Sequence, residues 1–318
     1  MKKSIDLKKI ANASLMLSHT SETQRDAFLK NLSKEVLYYA KKIASVNAID
    51  VQRARASGIS KAFIDRLILD ENGVRHLAHK IAKITKLKSG LGEVIEKKQH
   101  GGLVLKKVRV SLGVLLIIYE ARPEVTIDVA ALCVKSGNAG ILKGGSEALE
   151  TNKILFTCVE RALKKSGFPK EAISFIATGN RTVTDELLKR HDAIDLVIAR
   201  GGYGMVRSVM EKTRIPVLAH AAGGARIYVD KSADLAMAEK IIVNAKITKP
   251  AACNAVDTIV VHTDIAKKFI PQITRAMRAH GVRVVSGQWD TEFLSLTVGI
   301  KQVANAKDAV EFVNRHSK

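Results

Sequence analysis

From Gly113 onward, short β-branched runs alternate with helical patterns, and this alternation restricts the fold more than any other feature. Residues 114–119 form an aliphatic run, and Pro123 can open the next helix. Ile141-Leu142 ends a second strand, and Gly144-Gly145-Ser146 starts a helix. Runs at 173–177, 196–198, 227–229 and 258–261 follow, mostly with helical patterns between them. Repeated strand–helix–strand units predict an α/β fold with a doubly wound, mostly parallel sheet. Composition agrees: 47% of residues are hydrophobic but only 4% aromatic. The core must therefore be Ile, Leu, Val and Ala, as in a sheet covered by helices on both faces.

The chain before Gly113 reads differently. The first ninety or so residues look helical, with Leu29, Leu32, Val36, Ala40 and Ile43 at helical spacing. Ser21-Glu22-Thr23-Gln24 has the form of a capping box. Gly58 and Gly73 read as punctuation of later helices. Between Gly90 and Gly113, apolar pairs flank Gly101-Gly102, which predicts an antiparallel hairpin with a Gly-Gly turn.

The net charge of +21, from 52 basic and 31 acidic residues, favours anionic partners. The lysines are scattered and lack aromatic interleaving, which argues against nucleic acid. No apolar stretch has the length of a membrane span, and residues 1–6 show no secretory core. Three widely spaced cysteines form neither a disulfide framework nor a metal site, and a reducing cytoplasm suits them. The nine histidines make no metal-like cluster, and His76 and His79 read as a solvated helix face.

The usual dinucleotide and P-loop glycine fingerprints are absent. Lys143-Gly144-Gly145-Ser146 joins a strand to a helix and offers free backbone amides beside a positive charge. A plain glycine turn is the competing reading. Arg200-Gly201-Gly202 is a second turn of that kind. Cys133 and Cys158 lie in apolar helical patterns and read as buried hydrophobes. Cys253 follows Pro250 in a polar turn, where Lys246, Lys249 and a helix terminus are expected to favour a thiolate nucleophile.

Taken together, these motifs resemble the γ-glutamyl phosphate reductases (glutamate-5-semialdehyde dehydrogenases), a branch of the aldehyde dehydrogenase superfamily. The matching stretches run along nearly the whole chain. They include Asn47-Ala48, Ala54-Arg55-Ala56, Asp65-Arg66-Leu67, Ile118-Tyr119-Glu120-Ala121-Arg122-Pro123 and Leu132-Cys133-Val134-Lys135-Ser136-Gly137-Asn138-Ala139. They continue through Arg200-Gly201-Gly202, Val243-Asn244-Ala245-Lys246, Pro250, Cys253-Asn254 and Glu292-Phe293-Leu294-Ser295-Leu296. The resemblance implies NADPH-dependent reduction of L-glutamyl 5-phosphate to the semialdehyde in proline biosynthesis, through a thioester on Cys253. It implies that Lys143 lies near the adenosine ribose and its 2′-phosphate, that Gly201 and Gly202 lie near the pyrophosphate and nicotinamide, and that Glu292 holds the nicotinamide ribose. Arg122 and Lys249 are expected to contact the acidic substrate. No metal is implied. Implied partners are the small-molecule substrate, glutamate 5-kinase and further copies of the chain in a homo-oligomer, with neither nucleic acid nor membrane.

The expected architecture is an NADP-binding domain over 1–224, interrupted by an oligomerisation hairpin at 90–113, and a catalytic domain over 225–318. Cys253 is expected between the two. Three departures from the family pattern stand out. Glu124 replaces the asparagine after Arg-Pro, an amide that stabilises the developing oxyanion; losing such a donor typically costs about 100- to 1,000-fold in rate. The segment between Val285 and Glu292 is short, and Ala225-Arg226-Ile227 stands where the family usually has Cys-His. The chain also ends at Lys318, so the catalytic domain is expected to be truncated. These departures keep open an alternative, an impaired or inactive homologue that binds nucleotide or acts as a scaffold.

Overall fold

The structure, a computed structural model, describes residues 5–120, 122–220, 224–290 and 292–316. Ala121, within the Ile118-to-Pro123 motif, and residues 1–4, read above for a leader, lie outside the described residues. Chain contacts divide the molecule into two units: Met1–Ile59 with Leu67–His220, and Ser60–Arg66 with Ala221–Lys318.

The chain opens with α1 (Leu7–Ser18), α2 (Glu22–Tyr38) and α3 (Ala40–Ala56), followed by α4 (Lys61–Leu67), most of which belongs to the second unit, and α5 (Glu71–Thr85). The capping box is present: Gln24 N donates to Ser21 Oγ, and Ser21 N donates to Gln24 Oε1. Gly73 does not end a helix. It lies in the first turn of α5, where its amide donates to the capping Asp70 at 2.7 Å.

Strands β1 (Val94–His100) and β2 (Leu103–Val108) form the antiparallel hairpin. Gly101 (φ 54°) and Gly102 (φ 81°) take the left-handed backbone that a tight turn of this twist requires. Every residue of both strands is exposed.

The alternating pattern then produces β3 (Val114–Tyr119), α6 (Glu124–Lys135), β4 (Ala139–Lys143), a 3-10 turn leading into α7 (Leu149–Lys165), β5 (Ile173–Phe175), α8 (Arg181–Leu187), β6 (Leu196–Arg200), α9 (Tyr203–Lys212) and β7 (Val217–His220). All five strands from β3 to β7 run parallel in the order β5-β4-β3-β6-β7. β3 and β4 are buried at every residue, which explains their largely aliphatic reading. Cys133 and Cys158 lie in this core, where burial pushes both thiols up to about 12.

The second unit holds β8 (Ala225–Val229), α10 (Leu235–Ile247), β9 (Val256–His262), α11 (Thr263–Ala279), β10 (Arg283–Val285), β11 (Thr297–Val303) and α12 (Ala306–His316). Its four strands are also parallel, in the order β10-β11-β9-β8. Ile242, Ile259, Phe269, Ile273 and Met277 form its core. No helix among the described residues is long and apolar enough to cross a membrane.

Candidate active site

The first sheet reverses its winding at β3, with β4 added on one side and β6 on the other. Such a switch point leaves a crevice outside the carboxyl ends of the strands. One of about 410 Å³ is found there, lined by Glu120 after β3, residues 143–147 at the end of β4, Arg181 and Asp185 of α8, and α9. Lys143 is the last residue of β4 and is only 8% exposed. Its Nζ donates to Gly144 O at 2.7 Å. Burial lowers its pKa; Glu147 opposes that shift and Arg181 adds to it. Gly144 has no room for a side chain, since an added Cβ would run into the buried Asn152 and Tyr119, whereas one on Gly145 would meet only the movable carboxylate of Glu147.

Gly202 caps α9, and its amide donates to Glu120 Oε2 at 2.8 Å. A carboxylate thus rests on the amino end of that helix, where backbone amides and the helix dipole favour an anion. A Cβ on Gly201 would come 2.7 Å from that carboxylate carbon. Lys212 is paired with Asp185 at 2.9 Å. Among the described residues, Arg181 has no ion-pair partner. A buried ammonium, an uncommitted guanidinium, bare glycine backbone and an amide already holding an anion fit the phosphates of a dinucleotide. Sequence reading missed Glu120 and Arg181 as site residues, because an isolated charge after a strand or in a short helix carries no pattern of its own.

Cys253 occupies a double turn after α10. Ala252 N donates to Lys249 O (2.9 Å) and Ala255 N to Ala252 O (3.0 Å). Arg66 Nε donates to Ala251 O at 2.7 Å, pinning the first turn from α4. The flanking Ala251 and Ala255 are buried, while Cys253 is half-buried. Its sulfur thus differs from the two core thiols in the way a nucleophile must. Lys246 does not play the part expected of it beside the thiol. It is fully buried, with Nζ 3.6 Å from Asp257 Oδ1, so its charge is committed there. Lys249 is exposed on the turn.

Glu292 is half-buried and precedes Phe293, whose amide donates to Asp257 Oδ1 at 3.1 Å. The next residue, Leu294, has φ 49°, a strained backbone for a branched side chain that surrounding structure must hold. In the first unit, Arg122 is half-buried ahead of α6. Glu124 opens that helix, where a carboxylate is favoured by the dipole, and it faces Asp128, whose pKa is raised first by burial and further by Glu124. Arg226, at the site of the missing Cys-His pair, donates to Gly224 O (2.7 Å), Trp289 O (2.9 Å) and His316 O (2.6 Å), so it ties loops of the second unit together.

The model of the aldehyde dehydrogenase family matches residues 9–311. The gamma-glutamyl phosphate reductase of Petrotoga mobilis is 36% identical over 98% of this chain and 78% of its own length. The crystal structure of the Thermotoga maritima gamma-glutamyl phosphate reductase superposes with a TM-score of 0.88 at 34% identity, over 98% of this chain and 79% of that one. The Saccharomyces cerevisiae gamma-glutamyl phosphate reductase gives 0.64 at 29% identity, over 100% of this chain and 85% of that one.

Proposed function

This chain belongs to the aldehyde dehydrogenase family, and from that membership we propose that it reduces L-glutamyl 5-phosphate to L-glutamate 5-semialdehyde and phosphate in proline biosynthesis. The observation that carries the reading is Cys253, the one cysteine of three that is not buried, in a turn that Arg66 pins at Ala251.

The Cys253 thiolate attacks the acyl carbon; a C–S bond forms and the C–O bond to phosphate breaks, the electron pair leaving with phosphate. The family uses a nicotinamide dinucleotide, which supplies hydride to the thioester carbon when bound. As the aldehyde forms, the C–S bond breaks and the thiolate is restored.

Lys143 and Arg181 favour NADPH, since both are cations suited to a 2′-phosphate. Gly201 and Gly202 give a pyrophosphate access to backbone amides, with Glu120 displaced. Glu292 is assigned to the nicotinamide ribose, and Arg122 and Lys249 to the carboxylate and phosphate of the substrate.

Two wider assignments follow. The exposed hairpin carries Ile95, Leu103, Val104 and Leu105 outward, and a lone two-stranded hairpin is marginal in water, so it is assigned to contact with further copies of the chain. A thiol nucleophile requires a reducing compartment, which supports the cytoplasm. An acyl phosphate hydrolyses in water, so a supplying glutamate 5-kinase is a fitting partner.

The purified chain should form NADPH from NADP⁺, phosphate and the semialdehyde, and Cys253→Ala should abolish this while leaving NADPH affinity unchanged. NADPH formation that survives Cys253→Ala would contradict the reading.

A further inference from the structure

We infer that Asp257 is a positioning residue, which ties the segment carrying Cys253 to the segment carrying Glu292. The inference rests on the roles given above to those two residues. Asp257 lies four residues after Cys253, as the second residue of β9. Val256 pairs with Ala225 and Thr258 with Arg226, so the register between β8 and β9 slips at Asp257. An irregularity of this kind re-aims a side chain, and such features are common beside active sites.

The carboxylate so directed is 2% exposed and meets three segments of the second unit. Oδ1 accepts from Phe293 N at 3.1 Å, next to Glu292 and just before the strained Leu294. The same oxygen is 3.6 Å from Nζ of the fully buried Lys246, in the last turn of α10 where the Cys253 loop begins. The Ala225 amide at the start of β8 also donates to this carboxylate. Among the described residues, Lys246 Nζ has no hydrogen-bond partner apart from this ion pair. Burial raises the Asp257 pKa and lowers that of Lys246; each charge opposes the other's shift, and the carboxylate also attracts the Arg226 guanidinium. A buried pair of this kind is an expensive way to gain stability. It is an effective way to hold one geometry, because a shift of either segment leaves a charge unpaired. The Lys246–Asp257 contact closes the loop bearing the nucleophile, and the Phe293 contact attaches the cofactor segment to the same carboxylate.

The test uses the full chain with Asp257→Asn and with Asp257→Asn/Lys246→Met. Asparagine keeps the shape but turns one acceptor into a donor and strands Lys246. The double variant removes the stranded ammonium and should restore the melting temperature. Both variants are expected to lose about 10- to 100-fold in kcat for semialdehyde oxidation, with KM values within about threefold of wild type. Amide exchange over residues 248–255 and 292–296 should quicken by about tenfold in both, with other core peptides unchanged. Wild-type kcat and exchange in Asp257→Asn, or their recovery along with melting temperature in the double variant, would overturn the inference. Exchange needs no turnover, so it decides the matter even if the wild-type chain fails the activity test and the proposed reaction is wrong.

Discussion

In the crevice at the end of the first sheet, Lys212 is paired, Glu120 sits on an amide, and Lys143 is bonded to Gly144 O, so among the described residues Arg181 is the cation left uncommitted there. A charge-assisted bond contributes about 1.5–3 kcal/mol, or roughly tenfold or more in affinity. Arg181→Ala is therefore expected to weaken NADPH binding about tenfold and NADH binding less than about threefold, as read by titration of nicotinamide fluorescence. Equal losses for the two cofactors would remove Arg181 from the 2′-phosphate. Residues of this sort differ in how far sequence exposes them. Lys143 is marked by the glycines beside it, and Cys253 by Pro250 and a polar turn. Asp257, Lys246, Glu120 and Arg181 gain meaning only from partners distant in sequence: Glu120 meets Gly202, and Asp257 meets both Lys246 and Phe293.

Among the elements, the hairpin is found where its sequence pattern places it, but among the described residues it packs on nothing. Its Gly-Gly turn and apolar pairs read as a hairpin from composition alone, yet no face of it is buried. Replacing Leu103 and Leu105 with glutamate should therefore leave secondary structure intact while shifting sedimentation from an oligomer to a monomer; an unchanged sedimentation coefficient would show that the hairpin does not hold copies together. The parallel strands were legible where both faces are buried, as in β3 and β4. β11 was not, because Gly299, the half-exposed Lys301 and the exposed Gln302 interrupt its apolar run. β7 was missed for a similar reason: it is short, and Leu218 on it is 60% exposed. The Gly73 misreading has a local cause, since a glycine in the first turn of a helix looks like one at its end.

Across the whole molecule, strand–helix alternation was enough to read parallel α/β architecture, because crossover connections leave a periodic trace in the chain. It did not mark Ser60–Arg66, which packs with the second unit despite lying far from it in sequence. The excess of positive charge is not gathered in that crevice, where Lys143, Arg181 and Lys212 are matched by Glu120, Glu147 and Asp185. The central claim is that Cys253 carries the acyl group through the reaction. The most direct measurement mixes the chain with semialdehyde and NADP⁺ in the absence of phosphate, then follows NADPH and maps adducts by mass spectrometry. The account predicts a burst approaching one NADPH per chain and a glutamyl adduct on the Cys253 peptide, discharged by adding phosphate. A burst with the adduct on any other residue, or NADPH formation with no adduct at all, would contradict it.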